Sequence, residues 1–273
     1  MRVSLFAAVV VLAVASASST AEKAKKGSSD DTARAARTFF GSGYLNRQAV
    51  PDSTILLPPP PRTGSSAFAR DEEAAKAALA LRGTPRWTQA AADAELVSPS
   101  STGAMSCAAG FVVGEKETPV IQKLLRRAVA DLGLSVYGAK TKYGRSRPFI
   151  VNGEPTCTPD WEPLLRKDGA YPSGHSAIGF GWGLILAEIV PDRATQLVAR
   201  GRAFGDSRRV CNVHWLSDVE EGWVVAAAVV ARLHAEPVFQ KDLKAARAEA
   251  KSVRAKAASP DCANETAGLR DQP

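Results

Sequence analysis

In DGAYPSGHSAIGFGWGLILAEIVP, residues Asp168 to Pro191, an apolar run from His175 to Val190 lies between Pro172 and Pro191. The run is apolar on every helical face, so a helix formed from it must be covered on all sides. Glu188 and the glycines at 179, 181 and 183 interrupt it too often for a membrane span. It therefore predicts the central helix of a globular bundle. The Pro-Ser-Gly segment before it offers free backbone N–H groups at the positive end of the helix dipole, which suits an anion. Gly174 lets an anion come close to the backbone and Ser173 adds a hydroxyl donor. His175 stands beside both, placed to give a proton to whatever leaves the anion. The plainer alternative is a histidine that caps an ordinary loop.

The flanking segments predict further helices. DEEAAKAALALRG, from Asp71, has acidic residues early, Arg82 late and Gly83 after, which complements a helix dipole. TPVIQKLLRRAVADLG, Thr118 to Gly133, has Thr118 as a cap and Pro119 at the first helical position. DRATQLVARGRAFG and SDVEEGWVVAAAVVARLHAE complete the set, with Ser217 and Glu220 reading as a capping box. LLPPPPRTGSSAF, Leu56 to Phe68, reads as an extended segment and a turn. Alternating strand patterns are scarce. The expected fold is all-α, one compact helical domain over residues 40–245, followed by a charged tail over 246–273 that is either helical or disordered.

The chain has 273 residues and a formal charge of +7, with a sequence pI of about 9.4. That field favours anionic partners. No Lys/Arg block is interleaved with aromatic residues, so nucleic-acid binding is not expected. At the start, Arg2, an apolar core from Val3 to Val14 and Ala15-Ser16-Ala17 read as a secretory signal peptide over 1–17, with a polar, mobile leader over 18–39. Secretion or a periplasmic location follows, without stable membrane insertion. Cys107, Cys157, Cys211 and Cys262 fit an oxidising compartment as two disulfides, and three pairings are open.

Two further constellations accompany His175. In SRRVCNVHWLSD, His214 and Asp218 are four apart, so a carboxylate can fix the imidazole tautomer and leave the other nitrogen free as a nucleophile or base. In KTKYGRSRPF, Lys140 and Arg147 are seven apart, nearly two helical turns, with Pro148 as the stop directly after them. Arg208 is placed to join them. Arg and Lys together suit phosphate, one as a planar fork and the other as a point charge. Taken singly, each group also fits a solvated basic face or a surface His–Asp pair. Together they are the parts of phosphoryl transfer with cations in place of a metal ion.

Lys140-x6-Arg147-Pro148, then Pro172-Ser173-Gly174-His175, then Ser207-Arg208-x5-His214-x3-Asp218 resemble the three-part signature of the type 2 phosphatidic acid phosphatase superfamily, which also holds the vanadium haloperoxidases. DSTILLPPPPRTGSSAFARDE, RGTPRWTQAAADAEL and GRAFGDSRRVCNVHWLSDVEEG look like the bacterial class A non-specific acid phosphatases, over residues 50–235. One departure is G-A-Y-P-S-G-H-S, where that class commonly has G-S-Y-P-S-G-H-T, so Ala170 and Ser176 differ. The resemblance implies that His214 attacks phosphorus, Asp218 orients His214, and His175 protonates the leaving alcohol. It also implies that Lys140, Arg147, Arg208, Ser173 and the Gly174 amide hold the phosphoryl oxygens. The implied enzyme is a secreted acid phosphatase for small phosphomonoesters, without cofactor or metal, with an acid pH optimum and a homodimeric assembly. A vanadate-dependent haloperoxidase, a phosphotransferase and a non-catalytic phosphate binder are the rivals. No catalytic role is expected for His234. Trp161, Trp182, Trp215 and Trp223 are expected in the core or at its rim, and Tyr171 at the substrate mouth.

Overall fold

A computed structural model describes residues 41–96, 98–254 and 260–270, and every regular element among them is helical. The segments expected to be a signal peptide and a leader, up to residue 39, and residues 255–259 and 271–273 of the tail lie outside the described residues. The longer helices are α1 (Ser66–Leu79), α2 (Pro85–Ala92), α3 (Pro119–Ser135), α4 (Tyr137–Tyr143), α5 (Pro148–Asn152), α6 (Gly174–Ile189), α7 (Ala194–Val210), α8 (Leu216–Leu233), α9 (Pro237–Arg254) and α10 (Ala263–Arg270). Their starts follow local chemistry. Ser65 accepts from Phe68 N, Thr84 accepts from Trp87 N, and prolines open α2, α3, α5 and α9. The first turn of α1 holds no acidic residue. Asp71, read from sequence as a dipole partner, is instead buried in the middle of α1 and serves the site described below.

The apolar run becomes α6, which packs against α7, α8 and α3 at once. Coverage on three sides is why it needs no polar face. Trp182 is fully buried and donates its Nε1–H to the Leu125 carbonyl of α3 at 3.1 Å. Ile178, Ile185 and Leu186 join Leu125, Ala128, Leu132, Phe204, Val225 and Val229 in one core. The α6–α7 contact is a backbone contact. A Cβ at Gly201 would lie 2.7 Å from the Gly179 carbonyl oxygen and 3.1 Å from Phe180 Cα. A Cβ at Gly222 on α8 would lie 2.6 Å from the Ser173 carbonyl oxygen. The absence of that atom lets α8 reach the entry of α6.

Among the described residues no single helix is long and apolar enough to cross a membrane. One pair, α8 with α9, passes a test of length and composition only together, and it is bent by 97°. α9 runs on past residue 245. It turns Phe239, Leu243, Ala246 and Ala250 into the core, and Glu249 caps α3 by accepting from Val120 N and Ile121 N at 3.0 and 2.8 Å. The disulfides are Cys107–Cys262, which ties α10 to the body, and Cys157–Cys211.

Gly201→Ala tests the close packing directly. Helix propensity alone predicts a gain of about 1 kcal/mol, whereas the clash with the Gly179 carbonyl costs about 2–3 kcal/mol. The expected result is a net loss in urea unfolding; a stabilised variant would refute the packing argument.

Candidate active site

The three sequence constellations meet in one place. Ser173 is the N-cap of α6, and its Oγ accepts from Ser176 N at 3.2 Å, leaving its own hydrogen free to donate. The N–H groups of Gly174 and His175 are first-turn donors with no acceptor inside the helix. Ser173 N donates to the Asp218 carbonyl at 2.9 Å, which fixes this turn to α8. His175 is partly buried, and its Nε2 meets the Ala94 carbonyl at 3.0 Å. A carbonyl only accepts, so Nε2 carries the proton and Nδ1 is the nitrogen left for another partner.

His214 lies on the turn before α8. Its position is set by Arg208, whose carbonyl accepts from Val213 N and His214 N at 3.1 and 3.2 Å. Arg147 Nη1 points at His214 Nε2 at 3.1 Å. A guanidinium can only donate, so Nε2 presents its lone pair and the ring proton sits on Nδ1, which faces Asp218 Oδ2 at 3.4 Å. Asp218 is held more tightly elsewhere. Its Oδ2 accepts from Trp215 N at 2.8 Å, and its Oδ1 accepts from Arg145 Nη1 at 2.5 Å. Burial pushes the Asp218 pKa up, and these two partners pull against it to favour the carboxylate.

The start of α8 therefore differs from the expected capping box. Trp215 is the N-cap residue, and the Asp218 carboxylate accepts from its backbone N–H. Ser217 instead bonds Asp71 through both its N–H and its hydroxyl, at 2.8 and 2.7 Å, and Glu220 pairs with Arg70. The stronger acceptor is a buried carboxylate from another helix, which a local pattern cannot reveal.

Lys140 and Arg147 converge, but not as two turns of one helix. α4 ends at Gly144, which has φ 52°, and Pro148 opens α5 with Arg147 as its cap. The two heads meet because Asp168 Oδ2 accepts from both, at 3.0 Å each. Arg208, in the last turn of α7, is buried near them, with Nη1 3.9 Å from Cys211 Sγ of the Cys157–Cys211 disulfide. Burial, aided by Arg147, pushes its guanidinium down to about 9. Burial likewise lowers Lys140 and Arg147. His214 is driven well below the usual histidine range by burial and then by Arg147, Lys140 and Arg208. His175 is driven the same way by burial and then by Arg208.

Four residues that the sequence did not single out hold this arrangement. Asp168 links the two cations, and Arg145 joins Asp71 to Asp218 at 2.6 and 2.5 Å. Asp93 binds Arg200 through both carboxylate oxygens, at 3.1 and 2.6 Å, and takes the Ser207 hydroxyl at 2.6 Å. Ser207, part of the signature, thus bonds within this buried network through Asp93, Ala203 and Arg86. Asp93 stands out in sequence as an acid among small residues, whereas Asp71 and Asp168 lie in charged runs and carry no such signal. Tyr171 is not at a substrate mouth. It is 1% exposed, with its hydroxyl donating to the Pro58 carbonyl at 2.7 Å. His234 lies apart from the cluster, against Glu188 at 2.8 Å. Trp182 and Trp215 are buried, whereas Trp161 is 41% exposed.

Comparison with known proteins points the same way. Residues 125–239 match the PAP2 superfamily. A non-specific acid phosphatase of Providencia stuartii is 43% identical over 76% of this chain and 84% of its own length. An acid phosphatase of Zymomonas mobilis is 38% identical over 73% of this chain and 75% of its own. A non-specific acid phosphatase of Salmonella typhimurium is 41% identical over 67% of this chain and 74% of its own.

Arg145→Ala leaves two buried carboxylates facing each other and is expected to cost about 3–5 kcal/mol in urea unfolding. Arg145→Lys keeps the charge but not the fork, so it should recover only part of that loss. The histidines set a pH dependence. Their folded pKa values are depressed, so the unfolded chain takes up protons that the folded pocket refuses once pH falls below about 6.5. Stability from His175 and His214 is present above that pH and is lost as pH drops toward their folded values. Tm measured from neutral to acid pH should fall less steeply for His175→Asn than for the wild type.

Proposed function

Because this chain belongs to the PAP2 superfamily and is an acid phosphatase, we propose that it hydrolyses small phosphomonoesters through a phosphohistidine on His214, with no metal ion taking part. The observation that carries the mechanism is the pairing of the His214 Nε2 lone pair with Arg147 at 3.1 Å, inside a pocket that also holds Lys140 and Arg208. A nucleophile held unprotonated among cations is placed to meet phosphorus while its oxygens meet those cations.

In the first step His214 Nε2 forms a bond to phosphorus and the bond to the leaving oxygen breaks, with His175 giving that oxygen a proton. In the second, water attacks phosphorus, its proton passes to His175, and the N–P bond breaks to release phosphate. Asp218 keeps the proton of His214 on Nδ1 throughout and stabilises the positive charge that the ring gains on attack. Lys140, Arg147, Arg208, the Ser173 hydroxyl and the Gly174 amide neutralise the equatorial oxygens, the work a divalent ion does in other phosphoryl-transfer sites. Burial, and then the surrounding cations, lower the His214 pKa and so favour its unprotonated form toward acid pH, which supports an optimum on the acid side. His175 needs its proton back to act as an acid. A bound phosphoryl dianion offsets the Arg208 charge that lowers it, so His175 gains the proton together with the substrate. The reading includes export to the periplasm or medium and a homodimeric assembly.

Hydrolysis of p-nitrophenyl phosphate with EDTA present, from about pH 4 to about pH 8, checks the chemistry. The expected result is EDTA-resistant activity with an acid optimum, abolished in His214→Ala. His175→Ala should lose about a hundredfold or more on an alkyl phosphate and much less on the aryl ester, whose leaving group barely needs a proton. Equal losses on the two esters would remove His175 from the acid role.

A further inference from the structure

All five N–H groups of Arg147 are taken by the protein. Nε donates to the carbonyls of Leu165 and Asp168 at 3.0 and 3.1 Å. Nη1 serves the Val213 carbonyl at 3.0 Å and His214 Nε2 at 3.1 Å, and Nη2 serves Asp168 Oδ2 at 3.0 Å and the Gly169 carbonyl at 3.4 Å. Lys140 Nζ donates to Asp168 Oδ2 at 3.0 Å and to the Gly169 carbonyl. A phosphoryl group can therefore take more than one N–H from this pair only if an existing acceptor lets go.

The acceptors are unequal. Those from Leu165, Val213 and Gly169, like the one from Asp168 itself, are backbone carbonyls fixed by the fold, and His214 Nε2 belongs to the reacting group. The Asp168 carboxylate sits on a rotatable side chain that is 34% exposed. One oxygen of it, Oδ2, engages both cations, so a single side-chain rotation frees an N–H on Lys140 and another on Arg147 together. It is also an anionic oxygen, chemically like the oxygen that would replace it. Burial raises the Asp168 pKa, but Lys140 and Arg147 hold it below the ordinary carboxylate range, which favours its charged form.

We propose that Asp168 is an internal counter-anion, which the substrate phosphoryl group displaces from Lys140 and Arg147 and which returns to expel product phosphate. It is a positioning residue that sets the phosphate affinity of the pocket. The proposal rests on the phosphatase reading above. If Asp168 were only a brace for the two cations, its removal would loosen them and weaken phosphate binding. As a competitor, its removal strengthens binding, so the two roles predict opposite signs.

The test is the inhibition constant of inorganic phosphate, measured beside KM and kcat for p-nitrophenyl phosphate, in the wild type and in Asp168→Asn, Asp168→Ser and Asp168→Glu. Asn keeps the shape without the charge, and Ser provides a second charge-free variant if Asn folds poorly. In the charge-free variants the inhibition constant should fall about tenfold, the size of one charge-assisted contact. Their kcat should fall as phosphate leaves more slowly, and Asp168→Glu should sit near the wild type. An unchanged or larger inhibition constant in a folded charge-free variant overturns the proposal while wild-type hydrolysis leaves the phosphatase reading intact. A wild type that neither binds phosphate nor hydrolyses the ester overturns both.

Discussion

Lys140, Arg147 and Arg208 are 6%, 1% and 3% exposed and share one pocket, where like charges repel strongly because little water screens them. Every other feature of the site can be understood as an answer to that crowding. Asp168 takes a hydrogen bond from two of the three heads, and backbone carbonyls from Leu165, Asp168, Gly169 and Val213 absorb the rest of Arg147. Arg208 has no carboxylate within ion-pair distance among the described residues, and burial, aided by Arg147, pushes its guanidinium down to about 9. Burial together with these cations favours the neutral form of both histidines, and the charge favours a ligand that brings negative charge. On the proposed reading, affinity for a phosphoryl group follows from this unrelieved charge.

Holding cations in this way requires a rigid frame. α6, α7 and α8 provide it by approaching at backbone distance, with Gly201 against the Gly179 carbonyl and Gly222 against the Ser173 carbonyl. Those approaches put the last turn of α7, the first turn of α6 and the turn before α8 side by side. Each contributes one signature element: Arg208, Ser173 to His175, and His214. The Cys157–Cys211 disulfide closes the chain directly after Arg208, and the Arg208 carbonyl holds the backbone of His214. The buried Asp71–Arg145–Asp218 chain then ties α1 and the α4–α5 connection to the start of α8, with the Arg145 guanidinium 5.5 Å from the Trp215 ring centre.

Where local reading of the sequence failed, a distant partner had outbid a near one. Asp71 looked like a dipole partner and is instead half of a bridge to Arg145, which lies 74 positions further on. Ser217 had the spacing of a capping box, and Asp71 takes its hydroxyl. Pro148 has the position of a helix stop directly after Lys140 and Arg147, yet it begins a helix, because Gly144 turns the chain first. Tyr171 sits beside the Pro-Ser-Gly-His motif, but its side chain is buried and its hydroxyl donates to the Pro58 carbonyl.

The helical character, the central place of the run from His175 to Val190 and the candidacy of His175, His214 and Asp218 for the site were legible in the sequence, because each depends on periodicity, capping or residue chemistry over a few neighbours. The histidine tautomers, the disulfide pairing and the compensation of the cations were decided only by the tertiary structure. Their partners lie tens to more than a hundred positions away. A hydrogen bond to Ala94, Arg145 or Asp168 exists only once the separate segments that carry these groups have packed together.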